Sequence, residues 1–273
     1  MPAEGPEPCE GAARRACYPK PEFPLTPAGA GRHATIDAMQ PVIEYRPAQG
    51  RPEQLVLLFH GWAQDAAALA PLADALHREF PQSAVLVPES PTPADGGRRG
   101  RMWYSIEGLA EDLTLWPARV AEQLEALAPW VRAQQQRLGV AEAATCLGGF
   151  SQGALLALEL VARHDGIAGR VLAFGGRYCT LPAAAPQLTT LHFLHGQDDT
   201  IFPVAEVQRA LEHLGAHHGD ATVDIAHGVG HQLHPALIER ALFRLRNHIP
   251  LRTWEAALGA ARAARAAGSC DDD

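Results

Sequence analysis

From Met39 onward the chain alternates two apolar patterns. Short runs of Leu, Val, Phe and Ile predict buried strands at QLVLLFHG (54–61), SAVLVPES (83–90), AATCLGGF (143–150), GRVLAFGG (169–176), LHFLHG (191–196) and ATVDIAHG (221–228). Between them, apolar residues recur every three or four positions, the spacing of one helix face. This predicts helices over 65–80, 110–137, 152–164, 203–215 and 232–249. Strands that read as continuous apolar runs, separated by helices, form a mostly parallel sheet covered by helices on both faces. In such a sheet ligands sit beyond the carboxyl ends of the strands. The chemistry is therefore expected in the segments that follow each run, HGWAQD, GFSQG, HGQDDTIFP and HGVGH.

The ends of the chain break the pattern. Residues 1–38 are rich in proline and glycine and show neither period, so they are expected to form a disordered extension that the fold does not need. Residues 39–250 carry the alternation and read as one domain. Residues 251–273 read as an Ala/Arg-rich surface helix closed by an acidic tail. At 47% hydrophobic residues the chain has ample material for a core, and its net charge of −8 argues against nucleic acid as a partner. No apolar run reaches the roughly 18 residues of a membrane span, and no secretory h-region opens the chain, so a cytoplasmic location is expected. Cys9, Cys17, Cys146, Cys179 and Cys270 have neither the spacing of a metal site nor that of a disulfide framework. No metal and no organic cofactor is expected.

Gly149, Ser151 and Gly153 form G-x-S-x-G where a strand run turns into a helix, the context in which that pattern makes a nucleophile elbow. Two nucleotide readings of the same stretch fail. Ala154 and Leu155 stand where a P-loop needs Lys and Ser/Thr, and Phe150 stands where a dinucleotide fingerprint needs glycine. A serine hydroxyl needs a base to take its proton and an acid to orient that base. The chain supplies both in the order serine, acid, histidine: Asp198 or Asp199 after one strand run, and His231 after the last. His231 follows Gly228 and Gly230 in a loop, whereas His227 and His234 read as structural or exposed, and His60 and His195 as stabilisers of turns. The oxyanion hole then falls to two backbone N–H groups, those of Gln152 after the nucleophile and Trp62 after LLFHG.

With these residues assembled, the chain resembles the α/β-hydrolase superfamily, and within it the bacterial carboxylesterase/phospholipase branch related to acyl-protein thioesterases. The likeness runs from about Val42 to Pro250. GFSQGA is similar to that branch's nucleophile motif. LLFHGWAQD is similar to its HG-x-G-D segment, with Ala63 in place of the usual glycine. HGQDDTIFP is similar to its HG-x-x-D-x-x-V-P motif, whose acid stands four positions before the proline; this selects Asp199, with Phe202 in place of valine. GVGH selects His231. RMWYSIEG is similar to the W-[FY] segment, which implies Trp103 and Tyr104 beside an acyl groove, and Phe202 joins them as a substrate-binding candidate. The short stretch 177–190 leaves no room for a large lid domain, which favours small or surface-presented acyl esters. The resemblance implies a serine carboxylesterase. A thioesterase or lysophospholipase, or a noncatalytic binding protein on the same fold, would use the same pocket.

Overall fold

The computed structural model describes residues 39–268, with side chains to residue 262. The expected extension over 1–38 and the tail at 269–273 lie outside the described residues. Seven strands form one sheet: β1 (Pro41–Tyr45), β2 (Gln54–Phe59), β3 (Ser83–Pro88), β4 (Thr145–Phe150), β5 (Arg170–Phe174), β6 (Thr190–Gly196) and β7 (Ala221–Ala226). Their order is β1-β3-β2-β4-β5-β6-β7, parallel throughout except for β1, which runs antiparallel to β3 at the edge. The strand pattern alone did not signal that reversal. β1 alternates half-buried and exposed positions, as an edge strand with one wet face does.

The strands bury residues on both faces. Leu55, Leu57 and Phe59 of β2 point into one apolar layer, and Val56 and Leu58 into the other. The first layer is closed by α2 (Leu115–Leu138), α3 (Gln152–Arg163) and α4 (Val204–Ala216), through residues such as Leu124, Leu155, Leu158 and Val207. The second is closed by α1 (Ala70–Glu79) and α5 (Pro235–Asn247), through Leu72, Leu76, Leu237 and Ile238. α2 begins later than its periodicity predicts. Gly108 has φ +74°, and the Asp112 carboxylate accepts bonds from the Thr114 N–H and hydroxyl, so residues 107–114 turn locally before the helix starts. No helical domain is inserted between β5 and β6. A further helix, α6 (Leu251–Gly268), follows α5, and no helix among the described residues is long and apolar enough to cross a membrane.

Strand order reverses at β2: the chain passes to β3 on one side and returns to β4 on the other. Phe59 is in register with Gly149, so the loops leaving β2 and β4 emerge side by side at this switch point.

The opposite end of the sheet holds a polar network instead. His192, fully buried on β6, receives a hydrogen bond from Arg170 at Nε2 (3.0 Å) and lies 2.8 Å from Thr222 Oγ1 through Nδ1. Arg170 also donates to the His248 carbonyl at 2.9 Å. Asp220 accepts from Thr190, from His248 and from the Leu251 N–H, which fastens the start of α6 to the sheet. An Arg170 donor at Nε2 requires a lone pair there, so His192 is neutral. Burial, then the charges of Arg170 and His248, push its pKa down to about 3. The unfolded chain protonates this residue near pH 6.5, so its contribution is complete above that value and is lost as pH falls toward 3. At pH 5 the loss amounts to about 2 kcal/mol. Urea unfolding at pH 7 and pH 5 should show His192→Gln losing less stability on acidification than the wild type by about that amount.

Candidate active site

The turn between β4 and α3 is tight because β2 lies directly against it. A methyl group on Gly149 would sit 2.4 Å from the Phe59 carbonyl oxygen, and one on Gly153 only 1.9 Å away. Both glycines are therefore required by contact. Ser151 between them has φ +52° and ψ −112°, a conformation that costs a non-glycine residue about 1–3 kcal/mol. It is held there from both sides: its N–H donates to the Phe174 carbonyl (2.9 Å), and its carbonyl accepts from the Leu155 N–H (3.0 Å).

The geometry brings together the three side chains expected from the sequence. His231 Nε2 lies 2.8 Å from Ser151 Oγ, and its Nδ1 lies 2.7 Å from Asp199 Oδ2. A carboxylate only accepts, so Nδ1 carries the proton and Nε2 offers its lone pair to the serine hydroxyl. Asp199 Oδ1 accepts from the backbone N–H groups of Ile201 (2.9 Å) and Phe202 (2.8 Å). Burial pushes the Asp199 carboxyl up, but the hydrogen bonds from His231 and Phe202 outweigh it and hold the group below the usual carboxylate range. The His231 loop rests on the Asp199 loop: Asp198 N–H donates to Val229 O (2.9 Å), and a methyl on Gly196 would strike that same carbonyl at 2.3 Å. Phe150 and Phe202 wall the imidazole, at centroid distances of 4.8 and 5.5 Å.

The competing candidates lie elsewhere. Asp198 and His227 are exposed, and His234 caps α5 by accepting from the Ala236 N–H. His60, fully buried, accepts from the Ser90 N–H at 3.1 Å and stabilises its turn. Cys146 is buried, which pushes its thiol up to about 12 and leaves no thiolate for chemistry. Among the described residues no three His, Cys, Asp or Glu side chains gather as a metal-ligand set.

Gln152 has a part that its position after the nucleophile does not reveal. Its backbone N–H opens α3, where the first N–H groups have no intrahelical partner. Its buried side chain accepts from the Trp103 N–H (2.8 Å) and donates to the Tyr104 carbonyl (2.7 Å). The only sequence signal for this bracket is one amide on an otherwise apolar helix start. The Trp103 indole in turn donates to the His60 carbonyl at 2.8 Å. Trp103 is 1% exposed and Tyr104 5%, both packed within the apolar layer next to the site. Phe202 is also buried, but its ring meets His231 on one side and stacks on Trp116 at 6.2 Å on the other.

Trp62 leaves β2 beside the elbow, half-buried, with the Arg98 guanidinium 5.2 Å from its ring centroid. The next residue, Ala63, has φ +55°. That left-handed backbone is held because the Gln64 side chain accepts from the Gly61 N–H (2.9 Å) and the Gln64 carbonyl accepts from the Arg101 N–H (2.7 Å). Gly100 packs so closely that a methyl there would meet the Ala63 carbonyl oxygen at 2.4 Å.

Comparison with known proteins gives the chain's family and fold. A sequence model of the phospholipase/carboxylesterase family matches residues 41–249. The esterase YpfH of Escherichia coli (strain K12) is 37% identical over 213 residues, spanning 78% of this chain and 89% of that protein. Acyl-protein thioesterase 1 of Eremothecium gossypii is 26% identical over 209 residues, spanning 68% and 84%. Among solved structures, esterase PE8 aligns with a TM-score of 0.70 at 24% identity, covering 77% of this chain and 99% of its own. A carboxylesterase from Mesorhizobium loti aligns with a TM-score of 0.60 at 19% identity, covering 71% and 89%. The fold is that of the α/β-hydrolases, as the motifs implied.

Two substitutions test the backbone constraints. Gly153→Ala should cost more than about 4 kcal/mol in urea unfolding, or prevent folding, because neither Phe59 nor α3 can move away without breaking the sheet. Ala63→Gly removes a left-handed alanine worth about 1 kcal/mol, and should raise Tm by about 2–4 °C in a scanning experiment.

Proposed function

The chain belongs to the phospholipase/carboxylesterase family, and on that premise we propose that it is a serine carboxylesterase that hydrolyses short-to-medium acyl esters through an acyl-enzyme intermediate. The single observation that carries the reading is the hydrogen-bonded series Ser151–His231–Asp199 at the carboxyl edge of the sheet. In this reading Ser151 Oγ attacks the ester carbonyl while His231 Nε2 takes its proton. Asp199 keeps the imidazole in the reactive tautomer and stabilises the imidazolium that forms. The backbone N–H groups of Trp62 and Gln152 receive the developing oxyanion, each worth about 3–4 kcal/mol. His231 then protonates the leaving alcohol, and a water deprotonated by the same nitrogen releases the acid. No step calls on a metal or organic cofactor.

The substrate is a small or surface-presented acyl ester, in keeping with the absence of an inserted lid between β5 and β6 among the described residues. Phe150 and Phe202 flank the His231 ring, and Trp116 stacks behind Phe202 as further apolar lining beside the base. Nucleic acid is no partner in this reading, and the site of action is the cytoplasm. The likeness to acyl-protein thioesterase 1 favours one second reading, cleavage of thioesters, because an elbow serine attacks both kinds of acyl group.

Steady-state kinetics on p-nitrophenyl butyrate provide the test. Ser151→Ala and His231→Ala should each lower kcat by about three to six orders of magnitude, and the double variant should be no worse than the poorer single one. Folded variants with kcat near wild type would end the reading. On an oxygen ester and a thioester of equal acyl length, the carboxylesterase reading expects the higher kcat/KM for the oxygen ester, and the thioesterase reading the reverse.

A further inference from the structure

A second imidazole stands behind the aspartate. His195, on β6 and fully buried, places Nε2 2.6 Å from the Phe202 carbonyl oxygen and 3.4 Å from Asp199 Oδ2. Both neighbours are acceptors, so Nε2 carries the proton. The other nitrogen, Nδ1, is buried without a hydrogen-bond partner among the described residues, and as the unprotonated nitrogen it presents a lone pair there. Burial, only partly offset by the bond to Phe202, pushes the pKa of the ring down. The titratable groups facing it are Asp199 and His231.

The consequence is a clamp on the turn that carries the acid. Phe202 is gripped at both ends of its backbone: its N–H donates to Asp199 Oδ1 (2.8 Å), and its carbonyl receives the His195 proton. The same residue presents its ring edge-on to His231 at 5.5 Å and 88°. One buried N–H therefore sets the depth of the carboxylate that orients His231 and of the ring that walls it. Taking Ser151–His231–Asp199 as the reacting series, we propose that His195 is a positioning residue for the reaction: its Nε2–H, bonded to the Phe202 carbonyl beside Asp199 Oδ2, holds the aspartate turn in the register that His231 needs. It touches neither substrate nor serine and exchanges no proton during turnover.

Two amide substitutions separate this role from simple packing. A glutamine amide nitrogen reaches the place of Nε2, whereas an asparagine amide nitrogen reaches only that of Nδ1. His195→Gln should keep kcat within about threefold of wild type, and His195→Asn should lose about ten- to a hundredfold in kcat with KM within about twofold, the loss expected when an aligned group shifts by about an ångström. Equal kcat in the two folded variants, or a loss borne by KM, would overturn the proposal. Nitrogen-15 NMR of the unmodified protein gives an answer that does not depend on variant folding. His195 should carry its proton at Nε2 at pH 7 to 8, and a neutral ring protonated at Nδ1 instead would contradict it. Wild-type ester turnover that is abolished in Ser151→Ala leaves the esterase reading standing whatever His195 does; absent turnover in the wild type removes that reading first.

Discussion

The Phe59 carbonyl oxygen, pressed against the first turn of α3, is the contact on which the functional edge depends. It leaves no volume for a side chain on Gly149 or Gly153, and the chain between them can turn only by forcing Ser151 to φ +52°. The strain lifts the serine out of the helix start, and its backbone bonds to Phe174 and Leu155 keep it there. The same contact sets the neighbouring loop. Immediately past Phe59 the chain enters His60 and Trp62, so the backbone proposed to receive an oxyanion begins where the backbone carrying the nucleophile is wedged. Two parts of the site thus share one steric boundary.

Around that boundary the loops are joined by hydrogen bonds that leave little freedom. Gln152 brackets the Trp103–Tyr104 backbone, and Trp103 returns a bond to His60, closing a circuit from α3 through the 102–104 segment to the end of β2. On the other side, Gly196 lets the His231 loop settle on the aspartate turn, which is bonded within itself by Ile201 and Phe202. Buried polar groups satisfied in this way specify one arrangement, because breaking any bond strands a donor or acceptor away from water. The opposite end of the sheet uses the same means to another end. There Arg170, His192 and Asp220 anchor α6, remote from the carboxyl edge, and couple stability to pH.

Much of this was legible in the chain because its signals are local and strong. The strands β2 to β7 are short apolar runs, and G-x-S-x-G at the β4–α3 junction carries its own steric reason. The order serine, acid, histidine pointed to the residues that meet. The choice of Asp199 over its neighbour came from the spacing to Pro203, a likeness rather than a local pattern. What was not legible depends on contacts distant in sequence. Nothing in RMWYSIEG shows that its backbone is bracketed by Gln152, 49 residues away from Trp103. The left-handed alanine at 63 could be read only as a departure from glycine, and the partnership of His195 with Phe202 and Asp199 only as a turn. The direction of β1 likewise follows from its pairing with β3 and not from its composition.

The central claim is that the strained serine, the His231 base and the two backbone donors form one reacting centre. A crystal structure of the protein inactivated by a fluorophosphonate tests it directly. Phosphorus should be bonded to Ser151 Oγ, with the phosphoryl oxygen within about 3.1 Å of the N–H groups of both Trp62 and Gln152 and His231 still paired with Asp199. A phosphonate attached to any other side chain, or one on Ser151 whose oxygen turns to solvent with neither N–H aimed at it, would contradict the claim.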